Sequence, residues 1–382
     1  MNANPFVYGK EVAGENFYDR REDFSRLVST LEGGAANVVL YAPRRYGKTS
    51  LAKKALGELA RRGFRCVYFD FMRVESVPKF CEAYASSVYA LERGTVRAMR
   101  RIGKTLSALR PRFTVGDDGK PALELDLGVK PTVATLEETL DLPERLADPK
   151  HPVVVAFDEF QEIGTLSPSL PLEGVFRGCI QRHRLVRYLF LGSKTHMIKR
   201  MFADRSRPFY NSAAIQRLDV PSGEESAAFV EARFASVGMR IEKDAVQTVL
   251  EMSKGIPYYV QALSALSFEE AVAAPVRHPV CVGDVESAAR RLLESKSDVY
   301  ESVLQALSAS QRTLLAALAR KPVRRFDAGF RAANGIGTLS GLHSALAVLL
   351  EKGHVEATLR GYEIGDPFFA RYLTESVFHV IE

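Results

Sequence analysis

The chain has 382 residues, of which 46% are hydrophobic and 26% charged, and its formal net charge is +6. Such a composition is ordinary for a globular protein of two or three domains, and the mild basicity is compatible with nucleic acid without requiring it. The four cysteines form no Cys-x-x-Cys pair and the seven histidines no His-Glu-x-x-His arrangement, which excludes the usual zinc motifs and a disulfide framework.

The N-terminus lacks the basic start and apolar stretch of a secretory signal. No run of about 18 apolar residues occurs, which is the length that a membrane-spanning helix needs. Together with the sparse cysteines, these features predict a cytoplasmic protein that has no membrane partner.

A phosphate-binding loop is predicted between a first strand at residues 37–42 and a helix at residues 51–62. The connecting sequence is Ala-Pro-Arg-Arg-Tyr-Gly-Lys-Thr-Ser, and in such a loop the backbone N–H groups and the helix N-terminus face the phosphates. Lys48 is expected to reach the outer phosphates and the Thr49 hydroxyl to ligate Mg²⁺. The pattern asks for Gly at the first position, but Ala42 is compatible with a tight turn unless its backbone needs positive φ. The predicted phosphate-contacting residues are Pro43, Arg44, Arg45, Tyr46, Gly47, Lys48, Thr49 and Ser50.

Four further apolar runs predict strands at residues 65–71, 152–157, 187–192 and 214–220. Because helical stretches separate these runs, we predict an α/β fold in which a parallel sheet is sandwiched by helices, as in P-loop NTPases. This nucleotide-binding domain is expected to cover residues 1–220.

An insertion at about residues 76–150 interrupts that domain. Apolar positions at helical spacing predict helices at residues 76–91 and 136–147, and residues 113–130 predict a hairpin or a loose loop. Residues 93–112 carry seven Lys or Arg and no acid, a pattern that fits phosphate contacts with nucleic acid or a solvated helix face. Few aromatic residues interrupt it, so stacking on single-stranded bases is not indicated.

The pattern becomes helical beyond residue 220, where Ser222 and Glu225 predict a capping box. This helix and those predicted at residues 243–253, 258–273 and 284–293 form a helical lid at residues 221–294.

Residues 295–382 predict a winged-helix domain, with helices at 310–320 and 338–352 before a two-stranded wing. The presumed recognition helix, 338–352, carries few basic or amide side chains. A role in packing or in sensing the nucleotide is therefore favoured over the reading of DNA bases.

Two carboxylates follow the strand predicted at residues 152–157. In P-loop enzymes an acidic residue at this strand end holds the Mg²⁺ shell, and Asp158 fits this role. Glu159 is placed to polarise a water for attack on the γ-phosphate, as a general base or as a water-positioning residue. Ser193 follows the next strand and is a candidate to orient that water or touch the γ-phosphate, with a helix N-cap as the alternative. The catalytic candidates are Lys48, Glu159 and Ser193, and the metal candidates are Thr49 and Asp158.

An arginine on the developing charge assists phosphoryl transfer, and the sequence offers four after the strand at residues 187–192: Arg200, Arg205, Arg207 and Arg217. The pattern does not select one of them. The side chains of Arg44 and Arg45, inside the predicted loop, are expected either to meet a partner or to face solvent.

Further motifs accompany the phosphate-binding loop: Asn4-Pro5-Phe6-Val7-Tyr8-Gly9, Gly14-Glu15-Asn16-Phe17, Arg20-Arg21-Glu22, Asp158-Glu159-Phe160, Gly192-Ser193, Gly255-Ile256-Pro257 and Asp366-Pro367-Phe368. Together these motifs resemble the archaeal-type ATPases, which belong to the signal-transduction ATPases with numerous domains and are related to the AAA+ class. The resemblance covers nearly the whole chain and implies a nucleotide domain, a helical lid and a C-terminal winged helix.

The resemblance also implies that the N-terminal segment and the Gly-x-Pro motif lie close to the adenine, through Val7, Tyr8, Phe17 and Pro257. The chain departs from the family pattern at Asp19, where Gly is common, and at Ser212, where the family often has Arg. An arginine role at position 212 therefore cannot be carried over.

These observations predict an ATP-binding, Mg²⁺-dependent P-loop ATPase that uses ATP and ADP as a nucleotide-controlled switch. One alternative is an ATP-gated DNA-binding protein that resembles the origin initiators, and another is a scaffold with permanently bound nucleotide. A switch requires a protein partner or self-association, and the sequence names neither.

Overall fold

A computed structural model describes residues 3–10, 17, 20–92, 111–115, 121–125, 132–167, 170–276, 278–358 and 361–376. The chain divides into two compact units. The sheet unit comprises residues 21–42 and 48–218, and the helical unit comprises residues 1–20, 43–47 and 219–382.

The strands of the sheet unit's central sheet are β1 (Val38–Tyr41), β2 (Arg65–Asp70), β5 (Val153–Asp158), β6 (Val186–Gly192) and β7 (Ala214–Arg217). They form a five-stranded parallel sheet with the strand order β2-β5-β6-β1-β7. Every residue of β1 and β5 is buried, as expected for strands that helices cover on both faces. The five predicted strands are all present, and the predicted α/β fold with a parallel sheet is confirmed.

Helices surround this sheet, and a cluster of aromatic side chains fills the space beside it. The α-helices described in this unit are α1 (Arg21–Gly33), α2 (Lys48–Arg61), α3 (Val77–Tyr89), α4 (Val133–Leu140), α5 (Leu142–Leu146), α6 (Leu172–Arg182) and α7 (Thr195–Ala203). Phe157, the next-to-last residue of the interior strand β5, contacts the rings of Phe71, Tyr84, Phe160 and Phe190. The end of β5, which carries the candidate carboxylates, is thus anchored among packed aromatic rings.

The predicted insertion contains two paired antiparallel strands, β3 (Pro111–Val115) and β4 (Pro121–Leu125). They agree with the hairpin alternative for residues 113–130. Most of the basic stretch at residues 93–112 lies outside the described residues.

A buried helix organises the helical unit. The helices α8 (Gly223–Ser236), α9 (Lys243–Ser253), α10 (Pro257–Ala273) and α11 (Val282–Glu294) come first in the chain. Residues 259–268 of helix α10 are all buried, and Phe6 of the N-terminal segment packs into the same core. The capping box predicted from Ser222 and Glu225 begins α8.

The winged helix follows within the same unit. Its elements are α12 (Ser297–Gln305), α13 (Ala309–Arg320), α14 (Ala328–Ala333), α15 (Leu339–Glu351), β8 (Val355–Thr358), β9 (Gly361–Ile364) and α16 (Pro367–Ser376). Strands β8 and β9 pair antiparallel as the predicted wing. Among the described residues, no helix is both long enough and apolar enough to cross a membrane.

Candidate phosphate-binding and catalytic site

The predicted phosphate-binding loop leaves β1 through Ala42, whose N–H donates to the carbonyl of Gly192 at 3.3 Å. Ala42 is fully buried and its φ is not positive, so this position does not require the Gly of the usual pattern. Gly47 has φ +83, in the left-handed region that favours Gly. The one departure from the loop pattern therefore costs no backbone strain.

Lys48 begins helix α2, earlier than the predicted helix start, and its side chain is only 6% exposed. Its Nζ lies 3.9 Å from Asp158 Oδ1 and 3.4 Å from Glu159 Oε1. A buried ammonium needs such counter-charges, because an unpaired charge is costly away from water. The lysine is thus held at the strand end where both carboxylates lie.

Asp158 accepts two hydroxyl hydrogen bonds on one carboxylate oxygen. Thr49 Oγ1 donates to Oδ2 at 2.7 Å and the Tyr68 hydroxyl donates to the same atom at 2.6 Å. Burial, and then the charge of Asp158, raises the pKa of Tyr68, which keeps its hydroxyl a donor. Tyr68 comes from β2, which pairs with β5 in register, so the sheet itself brings the phenol to the carboxylate.

Glu159 has a left-handed backbone, with φ 51 and ψ 42, which is unfavourable for a residue with a Cβ. Its Oε2 accepts from the N–H of Ser193 at 3.1 Å and from the Ser193 hydroxyl at 2.7 Å. Burial tends to raise the pKa of Glu159, but the charge of Lys48 and the hydrogen bonds from Gln161 and Ser193 outweigh it. The pKa therefore lies below its ordinary value, and the carboxylate is ionised at neutral pH.

Ser193 does not cap the following helix, contrary to the alternative role considered for it. Lys194 holds the N-cap position of α7, whereas the Ser193 hydroxyl is used by Glu159. This contact follows from the strand order, because β5 and β6 are neighbours and both end at the same edge of the sheet.

The residues of the predicted loop fall in both units, with 43–47 in the helical unit and Lys48, Thr49 and Ser50 in the sheet unit. Pro43 is buried, Arg44 is exposed, and the carbonyl of Tyr46 accepts from Arg20 Nη2 at 2.9 Å. Arg45 has φ 72, and its guanidinium meets Asp366 and Tyr259 of the same unit. The Arg45 side chain therefore meets residues of its own chain instead of facing only solvent.

The residues that the resemblance implies for adenine belong to the helical unit. The Val7 N–H donates to Gln261 of α10 at 3.1 Å, and Tyr8 makes an edge contact with Tyr258. Pro257, the residue before Tyr258, begins α10, and Phe17 is half-buried. Three of the four therefore converge on the first turns of one helix, and their role toward adenine stays a prediction.

The sheet unit thus brings together Lys48, Thr49, Asp158, Glu159 and Ser193, all predicted from the sequence. Sequence reasoning missed Tyr68 and Gln161, which contact the two carboxylates. The signal for Tyr68 was a hydroxyl-bearing ring inside an otherwise apolar strand. The signal for Gln161 was an amide two residues after Glu159.

Comparison with known proteins supports this fold. Residues 298–375 match a family described as "Probable winged helix domain", and no curated protein matches the sequence. A Walker-type ATPase of Pyrococcus abyssi is similar over 97% of this chain and 99% of its own, with 19% identity and a TM-score of 0.68.

Two Aeropyrum pernix structures are similar as well. The ORC2 protein, in its ADPNP–ADP complexes, is similar over 100% of this chain and 98% of its own length, with 17% identity and a TM-score of 0.55. The ORC1 protein, in complex with DNA, is similar over 97% of this chain and 95% of its own length, with 15% identity and a TM-score of 0.52. At these identities the likeness is one of fold, and it confirms the predicted α/β fold with a C-terminal winged helix.

Proposed function

We propose that the chain is an Mg²⁺-dependent ATPase that acts as a nucleotide-controlled switch. The observation that carries this proposal is the convergence of Lys48, Thr49, Asp158 and Glu159 at one edge of a parallel sheet. The neighbouring folds in the solved structures include a Walker-type ATPase and a protein in complex with ADPNP and ADP, which supports nucleotide as the ligand.

Phosphate binding is supported by the start of α2. The first N–H groups of an α-helix lack partners within the helix, and the helix dipole favours an anion there. Lys48 stands at this terminus as a buried cation whose counter-charges, among the residues that the structure describes, are the two carboxylates at 3.4 and 3.9 Å. A polyphosphate would supply further negative charge to the same ammonium.

Thr49 and Asp158 fit a magnesium ion. Both present oxygen ligands, which Mg²⁺ prefers, and Thr49 Oγ1 already lies 2.7 Å from Asp158 Oδ2. When bound, the ion would neutralise charge that develops on the phosphates. Tyr68 keeps Asp158 oriented, because its donated hydrogen bond fixes Oδ2.

Hydrolysis requires a base near the γ-phosphate, and Glu159 is the candidate. The bond between the γ-phosphorus and the ADP oxygen breaks while a bond to the water oxygen forms, and the water proton passes to the Glu159 carboxylate. The low pKa of Glu159 keeps it ionised and able to accept that proton. Ser193 holds one of its oxygens at 2.7 Å.

Two variants and one control test the proposal. Lys48→Ala should lower ATP affinity strongly, whereas Lys54→Ala, an exposed lysine of the same helix, should leave it unchanged. Glu159→Gln should bind ATP normally and hydrolyse it at least about 100-fold more slowly. Equilibrium titration with labelled ATP and phosphate-release assays measure both. Unchanged affinity in Lys48→Ala, or unchanged turnover in Glu159→Gln, would refute the assignment.

The exchange of nucleotide that is retained through purification distinguishes a switch from a scaffold with permanently bound nucleotide. Mass analysis of the purified chain should show nucleotide that exchanges with added ATP. Stoichiometric nucleotide that neither exchanges nor is hydrolysed would favour the scaffold.

An ATP-gated DNA-binding role is the second candidate. The winged helix, together with the DNA complex formed by the ORC1 neighbour, favours it, and Lys321 and Arg325 are exposed between α13 and α14. Phosphate contacts would give duplex binding a steep negative dependence on salt. Absence of duplex binding at low salt, with and without ATP, would remove this candidate.

A further inference from the structure

Gln161 is a polar residue buried in the sheet unit without a role in the sequence analysis. It lies in a short 3₁₀ helix, Phe160–Thr165, directly after β5, and it is only 2% exposed. A buried amide needs hydrogen-bond partners, because burying it unpaired is costly. Its partners therefore show why a polar side chain occupies this position.

The Gln161 amide is directed at Glu159. Its Nε2 lies 2.5 Å from Glu159 Oε2, and 3.3 Å from Glu162 Oε1. Because an ionised carboxylate only accepts hydrogen bonds, the atom next to Glu159 is the NH₂ group rather than the carbonyl oxygen of the amide. The orientation of the amide is thus determined by chemistry.

The two oxygens of Glu159 differ sharply as a result. Oε2 accepts three hydrogen bonds: from Gln161 Nε2, from the Ser193 N–H and from the Ser193 hydroxyl. Oε1 has Lys48 Nζ at 3.4 Å, a longer and weaker contact. One oxygen is therefore fixed by three donors, while the other has only the long Lys48 contact among the described residues.

The opposite end of the amide argues against a purely structural role. Gln161 Oε1 is buried and accepts no hydrogen bond from any residue that the structure describes. An apolar side chain of similar length would fill the same space without leaving this acceptor unsatisfied. The amide gains only through the bonds that its NH₂ group donates, and the shorter of these goes to Glu159.

We infer that Gln161 is a positioning residue for Glu159, which together with Ser193 holds Oε2 so that Oε1 is the oxygen presented to the attacking water. This inference rests on the proposed function. Gln161 touches neither water nor nucleotide in this scheme, and it acts only through the carboxylate. Its effect should appear in turnover and not in nucleotide affinity.

Gln161→Met tests the inference, since Met has nearly the same length and donates no hydrogen bond. We expect kcat for ATP hydrolysis to fall about ten-fold or more, because a loosely held base loses its alignment. ATP affinity and the melting temperature should stay close to those of the wild type. Gln161→Leu serves as a second apolar replacement if the Met variant does not fold.

A double-mutant cycle separates this role from a general structural one. In a Glu159→Ala background, Gln161→Met should change the residual kcat no further, since the residue through which it acts is gone. Glu162→Ala is the matched control, because it removes the other acceptor of the Gln161 amide and should keep kcat near the wild-type value.

The outcomes are distinguishable from a failure of the proposed function. A wild-type chain that hydrolyses no ATP overturns the proposed function and, with it, the inference. A wild type that hydrolyses ATP while Gln161→Met keeps the wild-type kcat overturns the inference alone. An equal loss of kcat in the Glu159→Ala background likewise overturns it, because Gln161 would then act independently of Glu159.

Discussion

Arg45 Nη1 donates a hydrogen bond to Asp366 Oδ2 at 2.5 Å, across 321 positions of the sequence. The same carboxylate accepts from the N–H groups of Phe368 and Phe369 at 2.9 and 3.1 Å, at the start of α16. The Tyr300 hydroxyl donates to both of its oxygens at 3.3 and 3.2 Å. A residue of the predicted phosphate-binding loop is thereby tied to the last helix of the winged helix, within the helical unit.

Removal of the Asp366 charge should destabilise the chain. Asp366→Asn leaves Arg45, whose side chain is 37% exposed, without its counter-charge, and we expect a loss of about 1–2 kcal/mol in the free energy of unfolding. Urea denaturation measures it. Asp298→Asn, at an exposed position of α12, should have a free energy of unfolding within about 0.5 kcal/mol of the wild type. Equal stability of the two variants would show that the ion pair contributes nothing.

The same carboxylate predicts a pH dependence of stability. Burial tends to raise the pKa of Asp366, but the Arg45 charge and the hydrogen bonds from Tyr259 and Arg45 outweigh it, so the pKa lies below its ordinary 3.8. Its contribution is therefore complete above about pH 3.8 and is lost as the pH falls through the folded-state value.

The wild type should consequently lose more stability than Asp366→Asn between pH 5 and the acid range. Thermal denaturation at a series of pH values checks this, because the difference between the two curves isolates Asp366 from the other carboxylates. A difference that stays constant over the whole range would contradict the assigned pKa shift.

Tyr68→Phe should lower stability, since it removes the hydroxyl that donates to Asp158 Oδ2 at 2.6 Å. A hydrogen bond to a charged group contributes about 1.5–3 kcal/mol, and we expect a loss near the lower bound because Thr49 still donates to that oxygen. Tyr84→Phe is the matched control, since the buried Tyr84 hydroxyl has no hydrogen-bond partner among the described residues. Its removal should be neutral or slightly stabilising in the same urea titration.

Much of the fold follows from local patterns in the sequence. The apolar run of β5 predicts a strand that is buried on both faces, and β5 is fully buried. The polar helix α1 was not predicted, because only Leu27, Val28 and Leu31 of its 13 residues are buried and they form a weak apolar stripe. Helix α16 was missed for a related reason: its anchor, Asp366, meets Arg45 only after the chain has folded.

The candidate site also combines residues that local sequence patterns predict with contacts that only the folded sheet creates. Lys48, Thr49 and Asp158 belong to local motifs whose spacing a reader of the sequence can recognise. The contact of Ser193 with Glu159 depends on the adjacency of β5 and β6, which no local pattern specifies. A strand order can place polar groups together that are about 30 residues apart in sequence.

Gly192→Ala should be strongly unfavourable, because its position at the end of β6 leaves no room for a side chain. A Cβ there would lie 2.7 Å from Gln161 Oε1 and 2.5 Å from Ile198 Cδ1, both inside van der Waals contact. Overpacking of this kind costs about 1–3 kcal/mol, and displacement of Gln161 should also lower kcat for ATP hydrolysis.

The matched control for Gly192→Ala is Gly178→Ala in helix α6, where a Cβ would meet nothing within 4 Å. Ala in a helix interior is favoured over Gly, so this variant should gain about 0.5–1 kcal/mol. Urea denaturation of both variants and their kcat values give the comparison. If Gly192→Ala keeps wild-type stability and kcat, then the packing around Gln161 is looser than the structure shows, and the alignment of Glu159 does not depend on it.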